Sequence, residues 1–202
     1  MRALLMGFSS ALLLAGLSGG PAWAQAALPP ALVSSCENCH GASGPARTPQ
    51  TPRLNGQTRE YLEARLKDLR NPGNQTIAAI HAMLGPARSV SDDTIAALAA
   101  HYAAQAPAEP SRPEAERAAG ARLYAQGRGA EIPSCGGCHG ARGEGIGESP
   151  RLAGQPAAYL EEQLAALMLT ARVQGAQSTM NKHAWAMSRE DMRALALFLA
   201  HD

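Results

Sequence analysis

Cysteine is confined to two short runs of the same shape, Cys36-Glu37-Asn38-Cys39-His40 and Cys135-Gly136-Gly137-Cys138-His139. C-x-x-C-H is the spacing of a c-type haem attachment. Thiols at i and i+3 reach the two vinyl groups along one porphyrin edge, and the next residue projects its imidazole at the iron. Other chemistries also use paired cysteines. A thioredoxin-like redox pair belongs in a βαβ setting, and this chain has no convincing strand pattern. A zinc site would take four ligands from the two pairs and leave both histidines without a purpose. Two structural disulfides would do the same. The doubled motif selects two covalent haem c groups with their irons, held by Cys36, Cys39, Cys135 and Cys138. His40 and His139 each supply one axial ligand.

The remaining composition agrees with that reading. The first 24 residues have the form of a secretory signal. Arg2 gives the positive start, Leu4 to Leu17 are mostly apolar, and Ala22-Trp23-Ala24 reads as a cleavage site. Cleavage after Ala24 and a periplasmic location are expected. The apolar stretch is too short and too broken by Gly and Ser for a membrane anchor. Lys and Arg number 18 against 17 Asp and Glu, so neither a nucleic-acid stripe nor a disordered acidic tail is indicated. Beyond the signal the aromatic residues are Tyr61, Tyr102, Tyr124, Tyr159, Trp185 and Phe198. Two small domains with so few large apolar side chains have thin cores, and a haem is the apolar mass that fills them.

The chain repeats itself. Cys36 to His40 aligns with Cys135 to His139, Pro52-Arg53-Leu54-Asn55-Gly56-Gln57 with Pro150-Arg151-Leu152-Ala153-Gly154-Gln155, and Tyr61-Leu62-Glu63 with Tyr159-Leu160-Glu161. Ser91 to Tyr102 aligns with Ser188 to Leu199. The repeat selects the second axial ligand. Met83 maps onto Met180, whereas Met187 maps onto Val90, His183 falls opposite Pro86, and His81 has no histidine counterpart. The consistent pairs are His40 with Met83 and His139 with Met180. Thioether sulfur is soft and favours ferrous iron, which raises the reduction potential over two histidines. With both axial positions filled, no coordination site is open to a substrate, which points to electron transfer and away from an enzyme.

The periodicity is helical throughout. Leu62, Leu66 and Leu69 share one helix face, as do Leu160, Leu164 and Leu167. Each half ends in an amphipathic helix. Ser91 is the expected N-cap of one, with Ile95, Leu98 and Tyr102 inward. Ser188 to Asp191 resembles a capping box for the other, with Met192, Leu195 and Leu199 inward. A further helix is expected over Glu114 to Gln126. About eight residues, Leu28 to Ser35, precede the first cysteine, so the first half has a shortened opening helix. Gly41 to Pro52 and Gly140 to Pro150 read as loops beneath each haem. The Pro-rich stretch 106–113 reads as an extended linker. The expected organisation is a signal over 1–24, one haem domain over 25–105, the linker over 106–113 and a second haem domain over 114–202.

Two C-x-x-C-H-G motifs, two Pro-Arg-Leu-x-Gly-Gln segments each followed by a Tyr-Leu-Glu helix, and two methionines each seven residues before a Val-Ser or Met-Ser helix start resemble the diheme class I cytochromes c, specifically the cytochrome c4 family. The resemblance implies an all-α fold of two tandem class I cytochrome c domains, each wrapped around one covalent haem. It implies that Pro52 and Pro150 offer carbonyls to the Nδ1 hydrogens of His40 and His139. It places Arg53 and Arg151 near the haem propionates, where a solvated surface charge would look the same in sequence. It places Tyr61 and Tyr159 along the haem pockets, with plain helix packing as the alternative. Gly120 and Tyr124 match the positions where terminal helices cross in the second half; the first half lacks both. The resemblance also implies domains packed with their propionate edges facing.

Three functions fit these motifs: a periplasmic shuttle between a quinol-oxidising complex and a terminal oxidase or reductase, an electron-accepting haem subunit of an alcohol or sulfur-compound dehydrogenase, and a diheme peroxidase. The peroxidase needs a haem with an open face, which two matched methionines oppose. Peripheral membrane association is compatible with all three. Replacing Cys135 and Cys138 together with Ala is expected to remove one of two covalent haems, read as the loss of one haem mass from the purified protein.

Overall fold

The computed structural model describes residues 28–42, 45–71, 81–176 and 178–201. The expected export signal therefore lies outside the described residues, as does the side chain of His81. Among the described residues the regular structure is helical, with two isolated β-bridges and no longer strand. No described helix is long and apolar enough to cross a membrane.

The first half contains α1 (Pro30–His40), α2 (Arg59–Arg70), α3 (His81–Arg88) and α4 (Asp92–Ala103). Proline opens α1, where its missing N–H is no loss, and Gly41 ends it at φ 77°. That φ disfavours any residue with a Cβ, which explains the glycine after the histidine; Gly140 repeats it at φ 83°. The amphipathic face of α2 buries Leu62 and Leu69. Ser91 caps α4, its hydroxyl accepting from the Thr94 amide at 3.2 Å, and the buried face carries Ile95, Leu98 and Tyr102.

The second half contains α5 (Glu114–Gln126), α6 (Gly136–His139), α7 (Ala157–Gln174), α8 (Thr179–Ala186) and α9 (Arg189–Leu199). Here the halves part. In the first half α1 runs directly through the cysteine pair to His40. In the second, a loop bridged at Arg128 and Ile132 separates the opening helix from the short turn that carries Cys138 and His139. Helix α5 crosses α9 at Gly120, where a Cβ would lie 2.0 Å from the Ala194 carbonyl oxygen and 2.6 Å from the Phe198 Cβ. Tyr124, one turn on, is buried against Phe198 with ring centroids 5.3 Å apart. Among the described residues of the first half there is no glycine crossing of this kind; α1 reaches the core through Leu32 and Cys36.

The apolar core forms two main clusters that share no residue. One gathers Leu62, Ile95, Leu98 and Tyr102, the other Leu160, Met192, Leu195 and Leu199. These are matched positions of the repeat, so one pattern buries the same faces twice. Residues 104–113 form no helix, but they are not a loose spacer. Ser111 donates its amide to the Ala200 carbonyl at 3.0 Å, and the carbonyl of Ala108 and carboxylate of Glu109 receive the Arg151 guanidinium at 3.3 and 2.8 Å.

The start of α9 forms the capping box in full. The Ser188 hydroxyl accepts from the Asp191 amide at 3.1 Å, and the Asp191 carboxylate accepts from the Ser188 amide at 2.8 Å. The same carboxylate receives Arg128 at 2.8 and 2.6 Å. Burial acts to raise the Asp191 pKa, but the Ser188 amide and Arg128 outweigh it and hold the carboxyl below its ordinary value. A depressed carboxyl stabilises the fold above its unfolded pKa, and that stability is lost as pH falls through its folded pKa. Asp191→Asn is expected to destabilise by about 1–2 kcal/mol at neutral pH, the scale of one cap and one part-exposed ion pair. The variant is also expected to melt with a weaker dependence on acid pH, both effects read from circular-dichroism melts.

Candidate haem centres

Each attachment histidine ends a helix and is buried to the same extent. His40 closes α1 and His139 closes α6, each 6 % exposed. The loops that follow return a proline carbonyl to each ring. His40 Nδ1 donates to Pro52 O at 2.7 Å and His139 Nδ1 to Pro150 O at 2.9 Å. A carbonyl can only accept, so Nδ1 carries the hydrogen and Nε2 is left with its lone pair for a metal. Burial lowers both histidine pKa values, against a smaller opposing effect of the proline carbonyls. Both imidazoles are thus held in the neutral, ligating form.

A cavity of about 550 Å³ opens on the second histidine. Cys135, Cys138, His139 and Met180 all line it, with Leu160, Leu164 and Leu195 among the apolar side chains of its wall. The volume falls in the range of about 300–1,000 Å³ typical of cofactor pockets. Two thiols, a neutral imidazole and a thioether around an apolar space are the donor set of a haem c, and the site fits that group. His183 and Met187 line the same cavity, but each is engaged elsewhere. His183 Nδ1 donates to the Glu131 carbonyl at 2.9 Å, and Met187 is buried in the core cluster with Tyr124 and Leu195.

In the first half the same pieces stand on matching elements. Cys36 is half-buried and Cys39 exposed on α1, as Cys135 and Cys138 are in the second half. Met83 lies on α3 and packs with Leu69 of α2 and Ala87. None of the four cysteines is joined to another in a disulfide. Among the described residues no three His, Cys, Asp or Glu converge as a metal cluster, so the joint four-cysteine site that zinc would need is not formed.

Comparison with known proteins gives the same result. The cytochrome c family profile matches residues 117–201. Cytochrome c4 of Pseudomonas aeruginosa is 33 % identical over 195 residues, 94 % of this chain and 95 % of the relative. The chain belongs to the cytochrome c4 family. The solved structure of cytochrome c4 from Acidithiobacillus ferrooxidans superposes with a TM-score of 0.75 at 34 % identity, covering 83 % of this chain and 98 % of that one. A thiosulfate dehydrogenase electron acceptor of Stutzerimonas stutzeri is 37 % identical over 178 residues, 83 % of this chain and 78 % of the relative. As a cytochrome c4 family member the chain is a diheme electron-transfer protein with two haem c groups, and it works with redox partners.

The remaining residues of the family motif meet at the junction of the two halves. Gln57 and Gln155 close the two Pro-Arg-Leu-x-Gly-Gln segments, and sequence reasoning assigned neither a role. In the structure each is buried and binds the backbone of the other repeat. Gln57 Nε2 donates to the Arg151 carbonyl at 2.9 Å, and its Oε1 accepts the Arg151 amide at 2.6 Å. Reciprocally, Gln155 Nε2 donates to the Arg53 carbonyl at 2.8 Å, and its Oε1 accepts the Arg53 amide at 2.9 Å. The signal that could have revealed them is a glutamine repeated at a matched position amid buried neighbours.

Tyr61 and Tyr159 both line the second-half cavity, and burial drives the Tyr159 pKa well above its ordinary value. Arg151 also lines the cavity, but its guanidinium is engaged by Ala153 O at 3.0 Å and by linker residues Ala108 and Glu109. Arg53 lines a separate, more open cleft between the halves, together with Arg112, Glu161 and Arg193.

Gln57→Leu would strand a buried amide and a buried carbonyl of the opposite half, at a cost of about 1–3 kcal/mol for each unsatisfied group. Calorimetry of the Gln57→Leu/Gln155→Leu protein is expected to show the halves melting as two separate transitions.

Proposed function

We propose that the chain is exported to the periplasm and carries electrons between a quinol-oxidising complex or dehydrogenase and a terminal oxidase or reductase. One haem domain spans 25–105 and the other 114–202. The observation that carries this reading is the single cavity in which Cys135, Cys138, His139 and Met180 meet, on elements the first repeat duplicates with Cys36, Cys39, His40 and Met83. Haem c, when bound, supplies an iron that gains or loses one electron. The protein's part is to hold two thioether tethers, an oriented neutral imidazole and a soft sulfur at each centre. His40 with Met83 and His139 with Met180 would hold the iron of each haem without leaving it a place for a substrate, which favours a carrier over an enzyme such as a peroxidase.

The proline carbonyls of Pro52 and Pro150 fix the ring orientation of each histidine ligand. Tyr61 and Tyr159 line the second pocket where the halves meet; Arg151 borders the same pocket and Arg53 the separate cleft between the halves, and Arg151 would receive a propionate in exchange for its bonds to Ala108 and Glu109. A second reading, an electron acceptor for a dehydrogenase oxidising a sulfur compound, is favoured by the similarity to the thiosulfate dehydrogenase electron acceptor of Stutzerimonas stutzeri. It uses the same ligands and differs only in the donor.

Replacing Met83 or Met180 with Ala is expected to remove the weak long-wavelength band of ferric His/Met coordination from one haem of two and to lower that haem's midpoint potential. Persistence of the full band after both replacements would show that another methionine, such as Met187, supplies the sixth ligand.

A further inference from the structure

We propose that the Tyr102 hydroxyl donates a hydrogen bond to the Cys36 thioether sulfur and thereby raises the reduction potential of the first-half haem relative to the second. The inference rests on the haem reading above and concerns how two duplicated centres come to differ.

Each half keeps one buried tyrosine behind the first cysteine of its motif, but the two tyrosines come from different helices. In the second half it is Tyr124 on the opening helix α5. The residues that would match it in the first half are Gln25 and Ala26, neither of them aromatic. There the tyrosine is Tyr102 on the closing helix α4, at the position the second half fills with Leu199. Tyr102 is 2 % exposed and Tyr124 1 %.

Their hydroxyls have different surroundings. Tyr124 donates to the Gly140 carbonyl at 2.6 Å. The Tyr102 oxygen is buried with no hydrogen-bond partner of normal geometry among the described residues. The polar side chains near it are Cys36 and Glu37, and of the two it is Cys36 that packs against the cluster holding the tyrosine ring. A buried hydroxyl left without an acceptor is a rare arrangement in folded proteins. Haem attachment settles the direction of the contact. A free thiol can donate or accept, whereas a thioether has lost its hydrogen and can only accept, so O–H to S is the one polarity left. Such a bond draws electron density from the sulfur and from the porphyrin edge it substitutes. It favours uptake of one electron, ferric to ferrous, and no proton moves, because burial keeps the phenol protonated. In the second half Tyr124 has its hydrogen on a backbone carbonyl, and the Cys135 sulfur receives nothing from it.

The test is a redox titration of the full-length protein and its Tyr102→Phe and Tyr124→Phe variants, with haem content read by mass on the same samples. Tyr102→Phe is expected to retain two haems and to lower one midpoint only, that of the haem missing from a Cys36→Ala/Cys39→Ala protein. The expected shift is about two- to tenfold in the ferrous-to-ferric equilibrium, the range covered by a single neutral hydrogen bond. Tyr124→Phe is expected to leave both midpoints in place. Two haems with unmoved midpoints in Tyr102→Phe, or an equal shift from Tyr124→Phe, overturns the proposal. Wild type with fewer than two haems overturns the haem reading itself and this inference with it. If Tyr102→Phe fails to fold, the wild-type protein decides: resonance Raman in D₂O should shift the thioether C–S band of one haem, and a spectrum insensitive to deuterium overturns the proposal.

Discussion

The hydrogen bond from a histidine Nδ1 to a proline carbonyl is the contact around which each half is organised. A ligand histidine must be neutral, turned correctly and unable to swing, and one bond to a carbonyl meets all three needs. It requires the chain to leave the helix immediately after the histidine and return a carbonyl to the same ring. Gly41 and Gly140 make the first possible through their left-handed backbone, and Pro52 and Pro150 complete the second. The intervening loops, the position of the cysteines on the preceding turn and the apolar helices that face the ring all follow from that closure.

The two halves satisfy the same constraint with different material. The second has a full opening helix, a close crossing at Gly120 and an aromatic pair of Tyr124 with Phe198. Among the described residues the first opens with Pro30–His40, a helix that also carries its cysteines. In its core Tyr102 from the closing helix takes the buried place that Leu199 holds in the second half. Duplication preserved the cysteines, histidines and methionines of the motif and the buried leucine positions, while the packing around them diverged. Two centres with the same ligands can therefore sit in different electrostatic surroundings, which gives a two-centre carrier a means of ordering its potentials.

The halves are joined by a reciprocal arrangement. Each repeat presents a buried glutamine to the backbone of the arginine in the other, so four hydrogen bonds are formed by two copies of one motif. Side-chain amides bonded to buried backbone are demanding partners, because a shift of either half leaves donors and acceptors unsatisfied on both. The linker adds to this. Arg151 grips Ala108 and Glu109, and Ser111 bonds Ala200, so the connection lies against the second half instead of spanning open solvent. The junction resists relative motion of the halves, as electron passage between two fixed centres requires.

The residue order alone determined whatever is encoded at short range. C-x-x-C-H is a local geometry, and the helices over 59–70, 92–103, 114–126 and 189–199 follow from apolar spacing and from caps within one turn, such as Ser91 and Ser188. Internal duplication extended that reach, since aligning the repeats pairs Met83 with Met180 as it pairs His40 with His139. Tertiary structure decided what no local rule contains. Gln57 and Gln155 find their partners 94 and 102 residues away in the other repeat, and the guanidinium of Arg151 is taken up by the linker. Tyr102 shares its helix stripe with Ile95 and Leu98 and reads in sequence as ordinary core. Only tertiary packing reveals that its hydroxyl lies beside Cys36, because which polar atom meets which across a core depends on how whole helices dock.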